Sequence, residues 1–173
     1  FGHHIQIAHG AVAGDGLIEE ALAVVAKDGP DTAEGEGRTA VDVGCLTCTG
    51  AAKGRLAPQN CCLVEIESAA PLYGGPASTE SGMHLAIYRA KPQCGAILHT
   101  HPRRLLALSL RLEKEGQGME EFLRLPLFEA NVWRARLGFA PALPPGTKEL
   151  ADAVARASLD HPAVWMAGHG LCS

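Results

Sequence analysis

Ser78-Thr79-Glu80-Ser81-Gly82-Met83-His84 and Cys94-Gly95-Ala96-Ile97-Leu98-His99-Thr100-His101-Pro102 are the two stretches that decide how this chain folds. They place one acid and two metal-grade histidines close together in sequence. Side chains alternate along a strand, so His99 and His101 point to the same face. Cys94 to Leu98 reads as a buried strand leading up to them. Pro102 cannot donate to a ladder and should end it. Two imidazoles at a strand's C-terminal end can share one divalent cation, although the same spacing also arises by chance. Ala163-Val164-Trp165-Met166-Ala167-Gly168-His169-Gly170 supplies a third donor. It is again an apolar strand ending in a histidine, flanked by glycines that permit close backbone approach. Three protein ligands with an open position are the layout of a catalytic metal site.

Between the two histidine strands, Thr79 to Lys91 reads as a helix closed by Pro92. Ser78 or Thr79 would be its N-cap, and Glu80 an acid in the first turn, where the helix dipole favours it. The same N–H groups and hydroxyls form a natural cradle for a phosphate. His84 lies one helical turn after Glu80 on the same face. It could be a ligand by position, but packing or hydrogen bonding suits it better. His161, before Pro162, reads as an exposed loop residue.

Working outward, Leu17 to Lys27 has a helical period ended by Gly29-Pro30, and residues 28–38 read as a loop. Thr39 to Thr47 reads as a strand followed by a Thr49-Gly50 turn, and Cys61 to Glu67 as the next strand. Ser68 to Pro76 is a Pro/Gly loop. Pro102 to Lys114 is a second helix. Gly116 to Phe139 fits helix and strand equally poorly, and Pro141 to Gly146 is a turn. Thr147 to Ala157 is a helix with Thr147 as N-cap. Strands and helices mix without strict alternation, which implies an α/β layered domain. Residues 1–15 hold His3, His4 and His9 among glycines and suggest no chemistry.

The chain has 173 residues, enough for one domain, 1–173, with a sizeable core. Hydrophobic content of 47% with 20% charged residues is that of a soluble globular protein. A net charge of −4 without basic clusters argues against nucleic-acid binding. No apolar run approaches the ~18 residues of a membrane span, and no signal-peptide pattern opens the chain. Cys45 and Cys48 form one Cys-x-x-Cys, but no second such pair completes a zinc ribbon. Cys61 and Cys62 face opposite sides of their strand. Most of the six cysteines read as small buried hydrophobes in a reducing cytoplasm.

Pro76 to Ala90, His99-Thr100-His101-Pro102 and Gly168-His169-Gly170 together resemble the class II aldolase/adducin family, whose best-known enzymes are of the fuculose-phosphate aldolase type. The likeness runs from about Thr47 to Gly170. It implies a three-layer α/β/α sandwich with a mostly antiparallel central sheet, assembled as a homotetramer. It implies Zn²⁺ on His99, His101 and His169, with Glu80 as catalytic acid/base. It implies that Thr49, Gly50, Ser78 and Thr79 hold the substrate's phosphate. The activity implied is that of a zinc-dependent lyase acting on a small ketose phosphate through a metal-stabilised enediolate. Family relatives also include epimerases, dehydratases and decarboxylases, and an inactive adducin-like interaction domain is the non-enzymatic alternative. Glu80 stands where the epimerases tend to carry Asp, which favours the aldolase. The chain departs from the family in lacking the Gly-Asn-[IV]-Ser segment and in having no tyrosine after Pro102. Tyr73 and Tyr88 both lie upstream. It also stops three residues after Gly170, where relatives continue into further helix.

Overall fold

The computed structural model of the protein describes Glu20–Ala21 and residues 42–52, 55–124, 126 and 128–173. Among the described residues, eight strands and four α-helices follow one another as β1 (Glu20–Ala21), β2 (Val43–Thr47), β3 (Cys61–Glu65), β4 (Pro71–Tyr73), α1 (Ser81–Ala90), β5 (His99–Thr100), α2 (Arg103–Lys114), α3 (Phe128–Arg134), β6 (Leu137–Ala140), α4 (Lys148–Asp160), β7 (Ala163–Met166) and β8 (Gly170–Cys172). The fold is α/β, as the mixture of strand and helix patterns implies. The strands form two sheets. One has the order β1-β5-β8-β7-β6 and the other β2-β3-β4.

The larger sheet is antiparallel except where β6 runs parallel to β7, with α4 as the connection between them. Parallel neighbours need such a crossover, and Thr147 starts it by accepting a hydrogen bond from the Leu150 N–H at 3.3 Å. The buried face of α4 is Leu150, Ala151, Val154, Ala155 and Ser158, a 3.6-residue stripe. The matching stripe of α1 is Met83, His84, Ile87 and Tyr88, with Leu85. The two helices pack on each other. Their buried faces join one core with Leu46, Cys62 and Val64 of the smaller sheet, Val164, Met166 and Cys172 of the larger one, and Ile97. All four residues of β7 are buried, which fits a central strand.

Several elements differ from the sequence pattern. Glu20–Ala21 is not helical but pairs with Thr100 and His99. Long-range pairing there overrides a local helical period. The rest of the expected helix over 17–27, the loop over 28–38 and the first residues of the strand from Thr39 lie outside the described residues. Cys94 to Leu98 is not a strand. Gly95 and Ala96 are exposed, and pairing begins only where the Leu98 N–H meets the Ser173 carbonyl at 2.7 Å. The Pro/Gly loop over 68–76 contains β4, an exposed edge strand that tolerates Pro71. The unassigned stretch 116–139 holds a 3-10 turn at Met119–Arg124, then α3 and β6.

Candidate metal centre

β5 and β8 run side by side, with His99 opposite Cys172 and Thr100 opposite Leu171. β7 and β8 form a hairpin whose turn carries His169; its N–H returns to the Met166 carbonyl at 3.1 Å. Gly168 takes φ +66° in this turn, a left-handed conformation that glycine adopts without strain. His169 therefore leaves from the turn, not from the end of β7. Gly170 lies where the chain passes closest to the other histidines. A Cβ there would sit 2.4 Å from the Thr100 carbonyl oxygen and 2.8 Å from Cδ2 of His101.

These elements bring His99, His101 and His169 into a triangle with ring-centroid separations of 4.6, 5.0 and 5.0 Å. Glu80 closes it. Its Oε2 is 2.8 Å from His99 Nε2, and its Oε1 is 2.8 Å from His169 Nε2. His99 Nε2 is also 2.9 Å from His101 Nε2. One nitrogen or oxygen from each of the four residues lies within 4.8 Å of all the others, a group that could hold a metal ion.

The donor chemistry fits a divalent transition metal. His99 Nδ1 lies 3.0 Å from the Leu171 carbonyl oxygen, which can only accept. Nδ1 therefore carries a proton, which leaves Nε2 to face His101 and Glu80, where it can hold a cation or share a second proton with the carboxylate. A carbonyl behind a ligating imidazole is the usual device for fixing its tautomer. Lone pairs and a carboxylate crowded in this way are satisfied only by a proton or a cation. His99 is 1% exposed, so water does little to relieve the crowding. The Nδ1 of His169 is buried without a hydrogen-bond partner among the described residues.

Burial alone would raise the Glu80 carboxyl. Hydrogen bonds to His169 and His99, with their charge, outweigh it and hold the group well below the usual carboxylate range. The helix starts at Ser81, two residues later than the pattern suggests, which leaves Glu80 at the cap position without a capping side-chain bond. Neither Ser78 nor Thr79 caps α1. The Ser78 hydroxyl instead accepts a long 3.4 Å bond from the Glu80 N–H. The carboxylate is thus released from the helix end to meet the imidazoles.

The other sequence candidates fall beside this cluster. Cys48 bridges Ala77, the Thr49 N–H bonds the Pro76 carbonyl at 2.9 Å, and the Ser78 N–H bonds Thr47 at 3.0 Å. The exposed Thr49-Gly50 turn is thereby stitched alongside Ser78 and Thr79. His84 packs, as expected: it is buried on α1 with its ring edge-on to His99 at 6.3 Å. His161 is half-buried, not exposed. Its Nδ1 bonds the Ala157 carbonyl at 3.0 Å, and its ring lies against Gly138. Tyr88 is buried in the core, and Tyr73 is exposed on β4. The sequence reading missed the Leu171 carbonyl, because a main-chain acceptor leaves no trace in residue types. No helix among the described residues is long and apolar enough to cross a membrane.

Residues 37–173 match the class II aldolase and adducin N-terminal domain. An L-fuculose phosphate aldolase of Methanococcus vannielii is 33% identical over 115 residues, covering 66% of this chain and 58% of that protein. A 3-oxo-tetronate 4-phosphate decarboxylase of Haemophilus influenzae is 31% identical over 127 residues, covering 73% and 58%. The chain thus spans under three fifths of the length of these curated relatives. The crystal structure of a sugar-phosphate aldolase from Thermotoga maritima superposes with a TM-score of 0.68 at 21% identity, over 88% of this chain and 74% of that one, and so shares the fold. Because the family's domain covers most of its length, the chain belongs to the class II aldolase/adducin family.

Proposed function

We propose that this chain is a metal-dependent lyase of the aldolase type, acting on a small phosphorylated ketose or related carbonyl compound. The observation that carries this reading is the convergence of three imidazoles and the Glu80 carboxylate on one small volume. His99, His101 and His169 would hold Zn²⁺ or another divalent transition metal. When bound, that ion supplies a Lewis acid for the substrate's carbonyl and neighbouring hydroxyl oxygens. Glu80 carries the proton to and from the substrate carbon. Beside a bound cation its carboxylate stays anionic but weakly basic, so it must be drawn away from that charge before it accepts a proton. The hydroxyls of Thr49, Ser78 and Thr79 and the exposed backbone of Gly50 would receive the phosphate. Their adjacency across the Cys48–Ala77 bridge supports this. We also read the chain as a cytoplasmic subunit of a homotetramer. The apolar side chains Phe128, Val132 and Trp133, exposed along α3, support an assembly.

A second reaction has specific support. The relative named as a decarboxylase matches this chain over 73% of its length. Both chemistries break a C–C bond beside a carbonyl and leave the electron pair on carbon. They differ in whether an aldehyde or CO₂ departs.

Metal analysis of the purified protein by mass spectrometry, beside His99→Ala, tests the site. About one zinc per chain, lost in the variant, is the expected result. No metal in either protein after zinc is supplied would leave only the fold. A panel of ketose phosphates and 3-oxo acid phosphates, read for aldehyde and for CO₂, then separates the two reactions.

A further inference from the structure

Four of the six cysteines lie on β2, β3 and the residue after β2: Cys45 and Cys48 as one Cys-x-x-Cys, and Cys61 and Cys62 as neighbours that face opposite sides of their strand. The register of β2 on β3 re-pairs them. Cys45 is opposite Leu63 and Thr47 opposite Cys61, so Cys45 and Cys61 are diagonal neighbours on one face. Leu46 is opposite Cys62, and Cys48 follows two residues on, so Cys48 and Cys62 are diagonal neighbours on the other face. The thiol environments follow the same pairing: burial raises the Cys45 and Cys62 thiols first, and Cys61 beside Cys45 and Cys48 beside Cys62 raise them further. All four are free thiols, and each pair joins a buried sulfur (Cys45, Cys62) to a half-buried one (Cys61, Cys48).

We propose that the hairpin carries two cross-strand dithiols, Cys45–Cys61 and Cys48–Cys62, which a low-molecular-weight disulfide oxidises to two intrachain disulfides, one on each face. The half-buried thiolate attacks the small disulfide, forming a mixed disulfide and releasing one small thiol. The buried partner, losing its proton to solvent or to the departing thiolate, then attacks the protein sulfur of that mixed disulfide and releases the second small thiol. Two protein thiols are oxidised by two electrons, and one small disulfide is reduced to two thiols. Four cysteines allow three connectivities, and the register selects one of them. Neighbouring residues of a strand point to opposite faces, which places the thiols of Cys61 and Cys62 apart. The Cys48–Cys62 link would lie directly under the Cys48–Ala77 bridge that aligns the Thr49-Gly50 turn with Ser78.

The test uses the folded protein, oxidised glutathione and double variants, because Cys45 and Cys48 share one tryptic peptide, as do Cys61 and Cys62. Cys45→Ser/Cys61→Ser keeps the 48–62 pair and should form an intrachain disulfide. Cys48→Ser/Cys62→Ser keeps the 45–61 pair and should do the same. Cys45→Ser/Cys62→Ser keeps Cys48 with Cys61 and should yield only glutathione adducts or free thiols. Peptide mass mapping after alkylation reads the links, and circular dichroism checks each fold. In the unsubstituted protein, four thiols should disappear with both peptides joined. Cross-linking of the 48–61 variant at the same rate, thiols of the unsubstituted protein that stay fully alkylatable, or disulfides confined within each tryptic peptide would overturn the proposal. None of these outcomes depends on metal or turnover.

Discussion

His99 in the large sheet and Cys62 in the small one are equally buried, each 1% exposed. They are buried for opposite reasons. Cys62 belongs to the apolar cluster with Leu46 and Val64, and its thiol is a weak donor that meets the Leu46 carbonyl at 3.5 Å. Nothing there asks for a ligand. His99 instead turns Nε2 to another imidazole and to a carboxylate. Packing alone does not stabilise that arrangement, since ring nitrogens and a carboxylate buried face to face need a proton or a cation between them. Equal burial therefore marks core in one sheet and a crowded cluster of titratable groups in the other. The difference lies in whether each polar atom has a partner of the opposite kind.

The largest effect that sharpens this contrast is expected at Glu80. Glu80→Gln keeps the shape and a neutral acceptor but removes the charge and the proton acceptor. If Glu80 moves protons, turnover should fall roughly 10²–10⁴-fold while bound metal stays near its original content. If metal is lost in parallel, Glu80 is a fourth ligand and the proton carrier lies elsewhere. Steady-state rates and metal content on the same preparation decide between them.

A smaller effect is expected one step behind the ligands. Gly170→Ala places a methyl where the Thr100 carbonyl and the His101 ring already stand, so β8 or His101 must move. Displacement of a group that orients ligands typically costs about 10–100-fold in metal affinity. Overpacking of this kind costs about 1–3 kcal/mol of stability. Zinc titration against a competing chelator, with melting curves of the metal-free proteins, measures both. An alanine variant that binds zinc like the parent would mean the centre tolerates backbone shifts that the geometry forbids.

The two sheets were also unequally legible in the sequence. His99, His101, His169 and Glu80 announced themselves by residue type, and the structure brings all four together. Their support did not. The Leu171 carbonyl and the close passage at Gly170 are main-chain features, visible only once β8 is paired with β5. β8 itself has three residues, too few for a period to register. Glu20–Ala21 carried a helical pattern because local propensity cannot anticipate pairing with residues 99 and 100. In the small sheet β2 and β3 were legible from their composition, but β4 hid in a Pro/Gly segment with all three residues exposed. The cross-strand thiol pairs left no trace in sequence, because they depend on the register of β2 on β3.

The smallest effect concerns those thiols under reducing conditions, and it tests the claim that the hairpin's polar atoms are content as they are. Burial first, then the charge of neighbouring thiols, pushes Cys45 up to about 12 and Cys62 up to about 11. An unfolded thiol titrates near 8.5. The folded state thus favours the neutral form. Its stabilising contribution is complete below about pH 8.5 and is lost as pH rises through the folded values. Chemical denaturation between about pH 8 and 11 should show stability falling with pH, less steeply in Cys62→Ala than in the parent once other alkaline titrations are subtracted as common to both. The oxidised hairpin should fall less steeply still, because its two disulfides remove the Cys45 and Cys62 protons together. Parallel slopes in all three would mean that Cys62 is hydrated in the native state, and the contrast with His99 would then rest on the histidine alone.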